Sequence, residues 1–260
     1  MNRVLSILLR GAAILAIAVF VSSCDDDEDR DGTSLLIMTF DPRYEGVEIE
    51  IGDRIENLHG YPVEVTDMKF YISNMKLHLF NGNSIVLSDI ELLDIRENKR
   101  ALEFMVPSDS YSGISFDLGV PPNLNGTQNP DFMTSIYDPN HPLSESNGMY
   151  WTWQSGYRFF SFEGRCDTVP NVGEVLPLTF AFHTGTDTLF RSLPTFPEEV
   201  SLEPDEIKVV PFAIDVDSIF ASATDTLDLK YERQFHGGFE QLPTGIKAAN
   251  NTAASIRVIE

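Results

Sequence analysis

The chain has 260 residues, 42% of them hydrophobic and 22% charged, and its 40 acidic and 18 basic residues give a formal charge of −22. That is enough chain for one globular domain, or at most two small ones, and the acidity excludes a nucleic-acid partner or a polybasic membrane surface, both of which rely on Lys and Arg. Two cysteines, Cys24 and Cys166, are too few for a disulfide scaffold or a four-thiolate zinc site.

Residues 1–23 start basic (Arg3, Arg10), run apolar from Ala12 to Val21, and end in small residues before Cys24. The apolar run is too short for a stable membrane span and predicts a cleaved export signal. Val21-Ser22-Ser23-Cys24 resembles a bacterial lipobox, which implies a lipidated Cys24 as the new N-terminus and a lipid anchor in the membrane. Residues 24–33 then read as a tether, because Asp25-Asp26-Asp27-Glu28-Asp29-Arg30-Asp31 is a solvated charge run with no apolar face to bury. The run is similar to the acidic export tag of surface lipoproteins in Bacteroidetes-type bacteria, which implies an outer-membrane or cell-surface location. On this reading the mature chain carries 16 basic and 40 acidic residues, and the part from Gly32 onward keeps −19 of its −24. Asp27, Asp29, Asp31 and Gly32 imitate the start of a calcium loop, but Met38 stands where its bidentate Glu is needed.

From Ser34 the pattern is all-β. Leu35–Phe40, Val47–Ile51, Val63–Phe80, Ile85–Ile95, Ala101–Val106, Ile114–Val120, Leu178–His183 and Lys208–Ile219 are short apolar runs between turn residues. Asn81-Gly82-Asn83 is a hairpin signal. These predict an antiparallel β-sandwich or open barrel over residues 34–260, with long loops and at most one short C-terminal helix, Leu242–Ser255, before a last strand at Ile256–Ile259. Within Val63–Phe80 the alternation slips twice, so bulges are expected near Thr66-Asp67 and Ser73-Asn74. Asp215 and Asp217 would share one solvated strand face. Residues 121–149 and 192–205 are rich in turn formers and read as loops.

Hydrolase and nucleotide motifs are absent: there is no Gly-x-Ser-x-Gly, His-Glu-x-x-His, Walker loop or Gly-x-Gly-x-x-Gly. Both tryptophans, Trp151 and Trp153, lie in Met149-Tyr150-Trp151-Thr152-Trp153-Gln154-Ser155-Gly156-Tyr157-Arg158-Phe159, two apart and so on one side of a strand. On pattern alone they are an aromatic core patch or a binding surface. His183 ends Leu178-Thr179-Phe180-Ala181-Phe182-His183, opposite the apolar face, as a metal ligand or a hydrogen-bonded structural residue. His78, beside Lys76, reads as a solvated strand histidine.

Taken in order, Tyr71-Ile72-Ser73-Asn74-Met75-Lys76-Leu77, Phe116-Asp117-Leu118-Gly119-Val120-Pro121, Asn140-His141-Pro142-Leu143, the tryptophan segment and Phe180-Ala181-Phe182-His183-Thr184-Gly185 resemble the MbnP-like domain. The resemblance covers nearly the whole mature domain. It implies an exported, non-enzymatic copper-binding protein, with copper held by histidines and by a tryptophan oxidised to kynurenine, an oxidation performed by a partner dihaem enzyme of the bacterial peroxidase and MauG type. It places His183 as the first metal ligand and His141 as the second, and Trp151 and Trp153 as oxidation candidates. Two departures stand out: Gln154 follows Trp153 where relatives can carry a histidine, and no cysteine follows His183 within Thr184-Gly185-Thr186-Asp187-Thr188. The reading from another class is a surface glycan- or protein-binding module, in which the indoles form an exposed stacking platform.

Overall fold

The structure, a computed structural model, describes residues 32–126, 137–152, 156–169 and 175–259; Cys24 and the acidic run, and also Trp153, lie outside them. The strands in chain order are β1 (Thr33–Tyr44), β2 (Val47–Glu48), β3 (Arg54–Glu56), β4 (Pro62–Leu79), β5 (Ser84–Asp94), β6 (Ala101–Pro107), β7 (Ser110–Leu118) and β8 (Tyr150–Thr152). They continue as β9 (Gly156–Cys166), β10 (Leu178–Gly185), β11 (Arg191–Ser192), β12 (Val200–Ser201), β13 (Ile207–Asp215), β14 (Gln234–Phe235) and β15 (Ile256–Val258). Helices α1 (Pro122–Asn125) and α2 (Val216–Phe220) are single turns, and α3 (Leu242–Ser255) is the one helix of several turns among the described residues.

Two sheets form the layers of an all-β fold. In the smaller, β15, β13 and β1 lie side by side, and β6 and β2 follow one another along the far edge of β1. The larger is organised by the 18-residue β4, which pairs first with β9 and then with β7 along one edge and with β3 and β5 along the other. Beyond β9 come β10 and β14. Pairing is antiparallel except for β1 with β13 and β10 with β14, which are parallel.

The length of β4 is workable because of its irregularities. Register shifts fall between Val65 and Asp67 and between Ser73 and Lys76, where Asn74 takes φ +52°. Each shift restores the phase, so Val63, Val65, Met68, Phe70, Ile72, Met75 and Leu77 all join the same core. That core, between the sheets, is dominated by phenylalanine: Phe40 stacks on Phe212 at 5.0 Å and meets Phe116 edge-on at 5.8 Å. The Asn81-Gly82-Asn83 turn closes the β4–β5 hairpin, with the Leu79 N–H donating to the Asn83 carbonyl.

The strand expected over Lys208–Ile219 stops at Asp215, and α2 takes over. Val216, Ile219 and Phe220 are all buried, a spacing of three and four that suits a helical turn rather than a strand. Asp215 and Asp217 therefore do not share a strand face; Asp215 pairs with Arg257, at 2.6 Å to its Nε. Residues 192–205 run along the outer edge of β7, which pairs with β11 and β12 and bridges to Phe196.

A second, smaller cluster lies on the outer face of the large sheet. Strand alternation sends Phe70, Phe160 and Phe162 into the main core and Tyr71, Tyr157 and Phe159 outward. The outward side chains pack with Val120, Leu143 and Met149. Asn125, fully buried, ties this layer together: its side chain accepts from the Tyr157 N–H and donates to Asp187.

Candidate metal site on the outer sheet face

The β9–β10 register places His183 opposite Ser161 and Ala181 opposite Glu163, so His183 and Glu163 share the outer face as diagonal neighbours. The His183 Nε2–H donates to Glu163 Oε1 at 2.7 Å. On the other side of β10, the parallel strand β14 aligns Gln234 with Ala181 and Phe235 with Phe182. Phe235 points into the core, and His236, one residue on, stands beside His183. The two imidazoles meet through Nδ1 at 3.0 Å, rings 4.7 Å apart and inclined at 70°. His236 Nε2 lies 2.7 Å from Gln234 Oε1.

Trp151 completes the site. Strand β8 folds back on β9, pairing Tyr150 with Tyr157, and brings the half-buried indole to His183 in an edge-on contact with 6.2 Å between ring centroids. Two glycines make room for it. A Cβ on Gly185 would sit 2.7 Å from the Tyr157 carbonyl oxygen and 3.0 Å from Trp151 Cζ3, and one on Gly237, at φ +82°, would sit 3.2 Å from the same indole atom. The Arg158 guanidinium lies 5.4 Å from the indole centroid, within cation–π range, and its Nε has no hydrogen-bond partner among the described residues.

Electrostatics favour the neutral form of His183. The residue is only 7% exposed, and burial pushes its pKa below the ordinary 6.5, against the Glu163 hydrogen bond, which favours the charged form; the nearby Arg158 charge adds to the downward push. A neutral imidazole is the metal-binding form. Metal–nitrogen bonds of about 2 Å reach both Nδ1 atoms at once across their 3.0 Å separation. Among the described residues no three His, Cys, Asp or Glu side chains converge as a ready-made cage, so two imidazoles with an aromatic neighbour are the donor set on offer.

The sequence-predicted residues are distributed unevenly. His183 and Trp151 are brought together; Trp153 lies outside the described residues. His141 is elsewhere: its Nδ1 accepts from the Leu143 N–H at 3.0 Å and its ring stacks on Tyr137 at 4.3 Å, with no hydrogen bond or ring contact to His183 or Trp151. His78 bonds Ser115 Oγ at 2.7 Å, and Cys166 is a buried free thiol whose pKa burial raises to about 11. His236, Glu163, Gln234 and Arg158 escaped the sequence reading. The signal for His236 was local, since Gln234-Phe235-His236-Gly237-Gly238 alternates polar and apolar before a glycine pair.

No curated protein matches the chain. Among solved structures, MbnP from Methylosinus trichosporium is similar at 16% sequence identity, with 73% of this chain and 78% of that one covered and a TM-score of 0.49. The sequence model of the MbnP family matches residues 33–239, from the first strand through the glycine pair that follows His236. Every residue of the site falls inside that span, and the chain belongs to the MbnP family.

Proposed function

We propose that the protein captures copper as cargo on the outer face of its large sheet, with His183 and His236 as ligands and Trp151 beside them. The observation that carries this is the approach of two imidazole Nδ1 atoms to 3.0 Å, each ring held at its other nitrogen by a hydrogen bond. Neutral imidazoles suit copper in either oxidation state. Family membership supports the same cargo, since the resemblance to MbnP-like domains implies copper. In this reading the second ligand is His236 and not His141, which has no hydrogen bond or ring contact with His183. The recessed indole, packed against two glycines and an imidazole, is poorly shaped as a flat platform for sugars.

The remaining parts of the reading follow from the sequence. Cys24 carries the lipid that anchors the protein at the outer membrane or cell surface, and the acidic run after it is the export tag. The protein binds and delivers rather than catalyses. Trp151, whose indole lies against His183, would add a nitrogen or oxygen donor to copper if a dihaem partner oxidised it to kynurenine. Metal analysis and intact mass of protein purified from its own host test this reading. One copper per chain, together with a lipid mass on Cys24, is the expected result; a metal-free protein with both tryptophans intact would remove copper and its maturation from the account.

A further inference from the structure

We infer that Glu163 and Gln234 are positioning residues that fix which ring nitrogens His183 and His236 present to a metal, making the site an Nδ1,Nδ1 site. The inference deepens the copper reading and rests on it for the identity of the ion, but not for the orientation of the rings.

The argument is a count of protons along one chain of hydrogen bonds. A carboxylate only accepts, so the 2.7 Å contact between Glu163 Oε1 and His183 Nε2 requires the proton on Nε2. His183 Nδ1 then carries a lone pair. On the other ring the partner is an amide, which could offer either end. Gln234 settles this through its own nitrogen, which donates to the Thr179 carbonyl at 3.1 Å and turns the amide oxygen toward His236 Nε2 at 2.7 Å. His236 must therefore donate from Nε2 as well, and both Nδ1 atoms face each other at 3.0 Å, where one proton can bridge them or one metal ion can bind both from beside the line that joins them.

The strand register makes this arrangement specific. Thr179, Ala181 and His183 alternate along the outer face of β10, with Glu163 across from Ala181 on one side and Gln234 across from it on the other. The two hydrogen-bonding partners thus flank the same rung of the ladder, and each reaches two residues along to an imidazole. Removing either frees its ring to turn over and expose Nε2 instead, which would misdirect the ligand without removing it.

The test uses nitrogen-15 NMR of the imidazoles together with a Cu(I) competition titration, on the whole mature domain of the wild type and of Glu163→Ala, Glu163→Gln and Gln234→Ala. Cu(I) is diamagnetic, so the same spectra report which nitrogen it binds. The Glu163 side chain is 40% exposed, and truncation there leaves the core untouched; thermal melts confirm that each variant folds. In the metal-free wild type His183 carries its proton on Nε2, and in the Cu(I)-loaded protein both rings bind through Nδ1. Glu163→Ala shows mixed Nδ1 and Nε2 ligation and a Cu(I) affinity lower by about 10–100-fold, as expected for loss of a partner to a metal ligand. Glu163→Gln, which keeps an acceptor oxygen, falls between, and Gln234→Ala shows the mixture at His236. A proton on Nδ1 of metal-free His183, or unchanged affinity and Nδ1 ligation in Glu163→Ala, would overturn the inference. A wild type that shows the Nε2 proton yet binds no Cu(I) would support the ring positioning and defeat the copper reading instead.

Discussion

His183 and His141 are two histidines on the same side of the large sheet with opposite occupations. His141 sits in the loop over the tyrosine layer with its Nδ1, carbonyl and ring face spent on structure: its Nδ1 accepts from the Leu143 N–H, its carbonyl takes bonds from the Ser144 N–H and Asn147 Nδ2, and its ring stacks on Tyr137. His183 spends only Nε2, on Glu163, and turns Nδ1 toward a second imidazole. The difference shows that ligand character depends on what the second ring nitrogen is doing, which neither residue type nor position near a tryptophan reveals.

The sharpest way to probe the structural side of that contrast is Tyr157→Ala. Tyr157 is fully buried, donates its hydroxyl to the Leu143 carbonyl at 2.7 Å and meets Tyr71 edge-on at 5.8 Å. Its loss is expected to cost about 3–5 kcal/mol in chemical denaturation, the range for large aromatic truncations in cores. His141→Ala is milder. It forfeits one accepted hydrogen bond and a half-exposed stack, for about 1 kcal/mol of stability, and leaves metal affinity unchanged. A large loss of affinity in this variant would break the contrast.

The smallest effect is a pH dependence on the His183 side. Burial lowers its pKa from the ordinary 6.5, so as pH falls the unfolded chain takes up the proton first. More protons bound in the unfolded state mean that stability falls with pH below about 6.5 and levels off once the folded residue also protonates. Metal-free His183→Asn should lose that part of the slope, read from melting temperatures across the acid range. A slope equal to that of the wild type would contradict the buried, neutral state assigned here.

Much of the fold was legible because local chemistry and tertiary packing agreed. The two phase slips in Val63–Phe80 coincide with register shifts of β4, and Leu242–Ser255 is α3 followed directly by β15. Residues 216–220 were misread because a buried single turn, Val216 to Phe220, continues an apolar strand run without a break. The site was half legible. Trp151 and His183 lie in strong aromatic and strand patterns, whereas His236 rides on a two-residue strand that pairs in parallel with β10 across 53 residues of chain, a partnership no local pattern encodes. Glu163 is one carboxylate among 40 acidic residues, and only the β9–β10 register distinguishes it.

A Cu(I) competition titration on the wild type and on His183→Ala, His236→Ala and His141→Ala tests the central claim most directly. The account predicts one tight site per chain in the wild type and in His141→Ala, and a loss of more than about 100-fold in each of the other two, since each removes a direct ligand. Full affinity in His236→Ala, or loss in His141→Ala alone, would contradict it.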